Sequence, residues 1–301
     1  MAQKRALISG ATGFIGSHLA RRLARDGWDV QIIVRPGSNL DPLQTVLDRV
    51  TVRKHDGSIE SMKTIVEQAR PSVVFHLASL FLAQHKPADI EPLVRSNVTF
   101  GAQLVEAMTA QGIFRLVNTG TSWQHFRNEG YNPVCLYAAT KQAFEAVLKY
   151  YIETTGLRAI TLKLFDTYGP DDPRPKLFTA LRKSAEDRIP LAMSPGEQLI
   201  DLVYIDDVVE AFCAAAKRLL LAQNDREEEY ALSSGRPVPL RDLVELYLQT
   251  TGRHLDIKWG GRSYRPREVM VPWNRGAVLP GWEPKVTLEE GIQRMEKAGK
   301  S

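Results

Sequence analysis

The sequence predicts an α/β protein, a doubly wound parallel sheet followed by a smaller C-terminal α/β lobe. Three observations carry that class. Short apolar runs alternate with helix-period stretches as far as Leu164. A glycine-spaced turn sits directly between the first run and the first helix. Past Gly169-Pro170 the alternation breaks into Pro-rich loops and short mixed elements. Strands joined through helices require right-handed crossovers, hence parallel strands buried on both faces.

In chain order, Arg5-Ala6-Leu7-Ile8-Ser9 reads as a buried strand and residues 17–26 as a helix that Gly27 ends as a C-cap. Strands follow at 30–34 and 50–53, a helix at 61–68 and a strand at 73–77. A long helix over 97–111, a strand at 114–118, a second long helix over 138–155 and a strand at 159–164 complete the alternation. The main domain is placed at 1–168 and the lobe mainly at 169–301, with some segments returning to the main domain. Residues 199–204 are the expected returning strand. Helices are expected at 205–221 and 240–251, and residues 259–284 are rich in Gly, Pro, Arg and Trp.

The chain has 301 residues, 44% hydrophobic and 25% charged, the balance of a globular protein rather than a disordered one. A net charge of +4, with Lys and Arg scattered, gives no nucleic-acid footprint. Two cysteines, Cys135 and Cys213, offer neither a metal cluster nor a disulfide framework. No apolar run is long enough to span a membrane, and the N-terminus does not read as a signal peptide. A cytoplasmic protein without a metal is expected.

Gly10-Ala11-Thr12-Gly13-Phe14-Ile15-Gly16 has the spacing of a dinucleotide turn. The first glycine permits the tight turn, the second lets backbone approach a pyrophosphate, and the third lets helix pack on strand. Free N–H groups and the helix dipole then favour the anion. This predicts a Rossmann domain. At the end of the second strand an acid would select NAD and an Arg would accommodate the NADP 2′-phosphate. The chain reads Val34-Arg35-Pro36-Gly37-Ser38, so NADP(H) is favoured over NAD(H), with Arg35 and Ser38 as phosphate donors.

Tyr137-Ala138-Ala139-Thr140-Lys141 opens the second long helix. Residues four apart share a helix face, so phenol and ammonium address one cleft. A phenol with a reference pKa of about 10 needs such a neighbour to handle protons near neutrality.

Together with His76-Leu77-Ala78-Ser79 and Tyr204-Ile205-Asp206-Asp207-Val208, the glycine turn and the Tyr137/Lys141 pair resemble the extended short-chain dehydrogenase/reductases that act on nucleotide sugars. The resemblance runs from about residue 5 to about residue 295. It implies that Tyr137 exchanges a proton with a carbonyl or alcohol, and that Lys141 binds the nicotinamide ribose and lowers the tyrosine pKa. It implies cofactor contacts at Leu77, Ala78, Ser79 and Asn97, and at Asp56 and Gly57, with Asp56 accepting from the adenine. A Ser or Thr after the next strand would hold the substrate oxygen. Thr119, Thr121 and Ser122 compete for that role, with Thr121 favoured. The family also implies a homodimer through a four-helix interface.

Departures from the family pattern narrow the reaction. No Asp-Glu pair follows the threonines, which argues against a dehydratase. Trp123-Gln124-His125 stands where many epimerases carry Tyr-Gly. Asp166 replaces the usual Asn before Tyr-Gly-Pro, and Ile200 replaces a phosphate-gripping Arg. The stretches 164–178 and 198–207 look most like the CDP-abequose synthase group, which reduces the C4 ketone of a nucleotide-linked deoxyhexose. Arg174, Lys176 and Arg265 are then the candidate phosphate contacts. The expected function is that reduction. The alternatives are a nucleotide-sugar 4-epimerase, a reductase of another ketone such as a flavonoid, and a non-catalytic dinucleotide sensor.

Overall fold

The computed structural model describes residues 3–174, 176–221 and 225–298. The elements run β1 (Arg5–Ser9), α1 (Phe14–Arg25), β2 (Asp29–Val34), β3 (Val50–Lys54), α2 (Ile59–Ala69), β4 (Val73–His76), α3 (Ile90–Val94), α4 (Phe100–Ala110), β5 (Arg115–Thr121), α5 (Leu136–Thr154) and β6 (Arg158–Leu164). The remainder is β7 (Asp166–Tyr168), α6 (Leu177–Asp187), β8 (Leu191–Met193), β9 (Leu199–Ile200), β10 (Leu202–Tyr204), α7 (Ile205–Leu220), β11 (Glu227–Leu232), β12 (Val238–Pro239), α8 (Leu240–Thr251), β13 (Ile257–Trp259) and α9 (Leu288–Ala298).

The main sheet has the order β11-β6-β5-β4-β1-β2-β3, parallel at every pairing. Its two faces follow from the side-chain alternation of a strand. Ile8, Ile32 and Phe75 face one way and pack with Leu19 and Leu23 of α1 and Val208 and Phe212 of α7. Leu7, Val74 and Leu116 face the other way, against Met62 of α2, Leu104 of α4 and Phe144 and Leu148 of α5. A separate core of Leu181, Leu243, Tyr247 and Ile292 joins α6, α8 and α9.

The expected strand over 199–204 does not join the main sheet. Its halves pair elsewhere, Leu199–Ile200 antiparallel with β12 and Leu202–Tyr204 parallel with β7. What returns to the main domain is α7, on the α1 face, and β11, at the sheet edge. The β11 run Glu227-Glu228-Glu229-Tyr230-Ala231-Leu232 hides its strand character behind three carboxylates. An edge strand tolerates them because its outer side is open, and each finds a cation: Lys149, Arg218 and Lys163.

Asp201 staples the end of β11 to the β9–β10 junction. It is 4% exposed and accepts from the Ser233 hydroxyl at 2.5 Å and the Ser234 N–H at 2.8 Å. Hydrogen bonds to a charged acceptor contribute about 1.5–3 kcal/mol. Asp201→Ala should therefore lower unfolding free energy by about 2 kcal/mol in urea, and an unchanged midpoint would contradict the staple.

Candidate functional site

The site lies at the carboxyl ends of the main-sheet strands. The β1–α1 turn forms its floor. Gly10 has φ +75°, and a Cβ there would stand 2.6 Å from the Ala78 backbone nitrogen. A Cβ at Gly16 would run into the Gly10 carbonyl. The turn therefore lies flat against Leu77-Ala78, whose N–H groups donate to the Ser9 carbonyl at 3.1 Å and the Ser9 hydroxyl at 3.3 Å. Gly13 precedes α1, no side chain caps that helix, and its first turn holds no acid. This arrangement fits a dinucleotide pyrophosphate: an open helix N-terminus above a surface that no side chain interrupts. Thr12 is part-buried, Gly13 exposed and Ile15 part-buried along its rim. The Phe14 ring points away to the other lobe, under the Arg174 guanidinium at 4.8 Å, so only its backbone is offered to the cradle.

Arg35 and Ser38 close a turn after β2. The Arg35 N–H donates to the Ser38 hydroxyl at 3.1 Å and the Ser38 N–H to the Arg35 carbonyl at 3.1 Å. The Arg35 side chain is exposed and has no hydrogen-bond or ion-pair partner among the described residues. After β3, Asp56 accepts from the hydroxyl and N–H of Ser58, which hold its carboxyl below the usual range. Gln103 donates to the Gly57 carbonyl at 3.0 Å, tying this loop to α4.

Asn97 ties the segment after β4 to the start of α5. It is 1% exposed and lies in a single π-type turn, Arg95–Thr99, between α3 and α4. Its oxygen accepts from Ser79 and the Leu80 N–H, while its amide donates to the Leu80 carbonyl and Thr140. Thr140 donates in turn to the Tyr137 carbonyl at 2.7 Å. A π-type turn at this point agrees with the tendency of such turns to mark functional positions.

Tyr137 and Lys141 face the same side of α5. The Tyr137 hydroxyl meets Ser79, and burial pushes its pKa up. Phe81 covers the ring edge-on at 4.9 Å. Lys141 is 1% exposed, and its ammonium has no hydrogen-bond or ion-pair partner among the described residues. Burial brings its pKa down to about 8, with Glu145 opposing and Lys163 reinforcing the fall. His76, fully buried, drops to about 3 through burial and Lys141, so it is neutral and serves as packing against Phe100 and Phe144.

Of the three hydroxyls after the fifth strand, Thr119 and Thr121 are within β5, which runs three residues beyond its predicted end. Thr121 closes the strand. Its hydroxyl accepts from the Trp123 N–H at 3.3 Å, and its own N–H donates to Gln124. The Thr119 hydroxyl is buried without a partner. Ser122 is part-buried and opens the short helical turn that follows.

A cavity of about 620 Å³ opens between these strand ends and the C-terminal lobe, lined among others by Phe81, Trp123, Asp166, Tyr168, Lys176 and Arg265. The candidate phosphate contacts are all paired. Arg174 forks onto Asp172, with both bonds at 2.6 Å, and reaches the Thr167 carbonyl. Lys176 meets Asp166 at 2.9 Å. Arg265 forks onto Glu268 and overlies the Trp123 ring at 5.6 Å. Burial works against the Asp166 charge, yet Lys176, Arg174 and Arg265 outweigh it and hold the carboxyl below its usual range.

Several residues here escaped the sequence reading. Phe81, which no motif announces, packs on Trp123 at 5.6 Å, and the two join the tyrosine to the cavity wall. Lys163, a lone charge inside a buried strand, and Glu145, one turn beyond Lys141, did carry a signal in their spacing. Among the described residues no cluster could hold a metal, and no helix is long and apolar enough to cross a membrane.

The NAD dependent epimerase/dehydratase family model matches residues 6–227. The chain belongs to this family. Across 295 residues it is 23% identical to CDP-abequose synthase of Salmonella muenchen, covering 97% of both chains. It is 25% identical over 310 residues to UDP-glucuronate 4-epimerase of Thermodesulfobacterium geofontis, covering 96% of this chain and 94% of that one. Its fold matches that of UDP-glucose 4-epimerase from Stenotrophomonas maltophila, solved with NAD and formylated UDP-arabinopyranose, at a TM-score of 0.87 and 18% identity, with 99% and 98% of the two chains covered. Within this family the open turn at Gly10–Gly16 and the Tyr137/Lys141 face are the features to which a function must be fitted.

Proposed function

We propose that this protein is a cytoplasmic NADP(H)-dependent reductase of a nucleoside-diphosphate-linked 4-keto deoxyhexose. The observation that carries the reading is Arg35: an exposed guanidinium after β2 with no hydrogen-bond or ion-pair partner among the described residues. It suits a 2′-phosphate, with the Ser38 hydroxyl as second donor. A cofactor that is consumed and exchanged belongs with net reduction. The Gly10–Gly16 turn holds the pyrophosphate, and Leu77, Ala78 and Asn97 shape the wall beside it.

Held in the Gly10–Gly16 turn, a nicotinamide cofactor would supply the hydride for the carbonyl carbon. Tyr137 donates its phenolic proton to the oxygen as the carbonyl becomes an alcohol, and Thr121 holds that oxygen. Lys141 stabilises the tyrosinate until solvent returns the proton. Arg265 and Lys176 exchange their carboxylate partners for the substrate diphosphate, while Arg174 stays locked by Asp172 and Thr167. A homodimer through the outer faces of α4 and α5, where Tyr150 is 63% exposed, belongs to the same reading.

A 4-epimerase is the second reading, favoured by the equal likeness to UDP-glucuronate 4-epimerase. A panel of nucleotide-linked 4-keto sugars, followed at the NADPH absorbance, separates the two. Stoichiometric oxidation of NADPH supports the reductase. Interconversion of C4 epimers on a retained, unconsumed cofactor would replace it.

Arg35→Ala should weaken NADPH binding about 10- to 100-fold while leaving NADH within about twofold, the loss of charged hydrogen bonds to one phosphate. Titration calorimetry with both cofactors measures it, and equal losses for the two would remove Arg35 from the phosphate.

A further inference from the structure

We propose that Glu145 is a positioning residue of the site, supplying the buried counter-charge of Lys141 and, through Gln124, fixing the backbone of Thr121. Glu145 stands four residues beyond Lys141, as Lys141 stands four beyond Tyr137, so the three form one stripe on α5. One of its oxygens accepts from Lys163 at 2.7 Å and from the Gln124 amide at 2.9 Å. The other is buried without a partner.

Gln124 is 0% exposed and uses every polar group it has. Its amide nitrogen serves Glu145 and Gln142, and its oxygen accepts from the Thr121 N–H at 3.0 Å. The chain Lys163–Glu145–Gln124–Thr121 thus connects α5 to the end of β5. Gly120 makes room for it: a Cβ there would stand 2.5 Å from the Lys163 Cδ and 2.9 Å from the unpartnered Glu145 oxygen.

Lys141 needs this counter-charge because burial alone disfavours its ammonium. The charged and titratable groups around it are few. Tyr137 and Glu145 come from its own helix, His76 from β4 is neutral, and Lys163 from β6 repels it. Glu229 of β11 lies at 3.1 Å from Lys163. The one charged residue of the π-type turn, Arg95, is exposed and paired with Glu91, and the one charged residue of β5, Arg115, is exposed. Glu145 is therefore the acid that favours a charged Lys141. Glu229 keeps Lys163 paired when Glu145 is neutralised.

The inference rests on Tyr137 and Lys141 as the proton-handling pair, but its test needs no turnover. In protein carrying 13C at the lysine Cε, the Lys141 resonance, assigned by its loss in Lys141→Met, reports protonation directly. The midpoint should lie near pH 8 in the parent protein. It should fall by about one unit in Glu145→Gln. In Lys163→Met, which serves if the first variant does not fold, it should rise, because a repelling charge is gone. A midpoint unmoved in the folded variant, with only the melting temperature changed, would make Glu145 a structural ion-pair member and overturn the proposal. A Tyr137→Phe protein that keeps its turnover would overturn the proton-handling pair instead and leave the titration result standing.

Discussion

Tyr137→Phe is expected to cut turnover by about 10²–10⁴-fold with little change in melting temperature. The hydroxyl meets Ser79, and the ring packs edge-on against Phe81 at 4.9 Å. Phenylalanine keeps the ring contact and removes the proton. Steady-state rates with the keto-sugar substrate, beside a thermal melt, separate chemistry from folding. A Phe variant with a tenth or more of parental turnover would eliminate Tyr137 as the acid.

The pH dependence follows from the same pair. The Lys141 pKa is brought down to about 8, so the ammonium is intact below that pH and lost above it. Once neutral, Lys141 no longer stabilises the tyrosinate that proton donation leaves behind. Turnover should therefore hold on the acid side of pH 8 and fall on the alkaline side. An alkaline limb near the lysine reference value of about 10.4 would mean that Lys141 is more solvated than its 1% exposure implies.

The second large effect is expected at the floor of the cradle. In Gly10→Ala the new methyl would stand 2.6–2.8 Å from backbone atoms of Leu77 and Ala78, at φ +75°. Left-handed geometry alone costs a non-glycine residue about 1–2 kcal/mol. Overlap with backbone adds to it, because no rotamer change relieves it. Gly27→Ala is the matched control, with φ +80° and open space around its Cβ. It bears only the conformational cost. We expect the Gly27 variant to lose about 2–4 °C in melting temperature and keep cofactor affinity. The Gly10 variant should lose at least twice that and bind cofactor about 100-fold more weakly, since about 3 kcal/mol of misfit falls on the binding surface. Equal behaviour of the two would show that the turn does not lie against Leu77-Ala78 in solution.

The glycine turn and the Tyr137/Lys141 helix face were legible because their signals are local. Gly10, Gly13 and Gly16 answer to a turn whose geometry is set within seven residues. Tyr137 and Lys141 answer to the pitch of one helix. Strands β1, β2, β4 and β6 could be read because both sheet faces are buried there, which makes each a largely apolar run, whereas β3, at the sheet edge, is half-exposed. β11 could not, because three glutamates at an edge strand resemble a solvated loop until Lys149, Arg218 and Lys163 are brought to them. The expected return of residues 199–204 failed for a related reason. Their apolar pattern states that they pair, but not with which strand.

The state of the candidate phosphate contacts was likewise invisible. Arg174, Lys176 and Arg265 read as free cations in the sequence, and the fold gives each a carboxylate. Asp172 lies near Arg174 in the chain and Glu268 near Arg265, but such short-range pairs form only when the loop is folded into the right turn.

The sequence by itself determined the alternation of strands and helices, the flat glycine turn at Gly10, and a tyrosine and lysine on one helix face. Each is governed by steric or periodic rules acting over a few residues. Only the tertiary structure decided that the turn lies under Ala78, that the Arg35 side chain has no partner among the described residues, and that Lys141 is buried beside the Lys163–Glu145 ion pair. These depend on burial and on charges distant in sequence, and the free energy of a charge is set by everything packed around it.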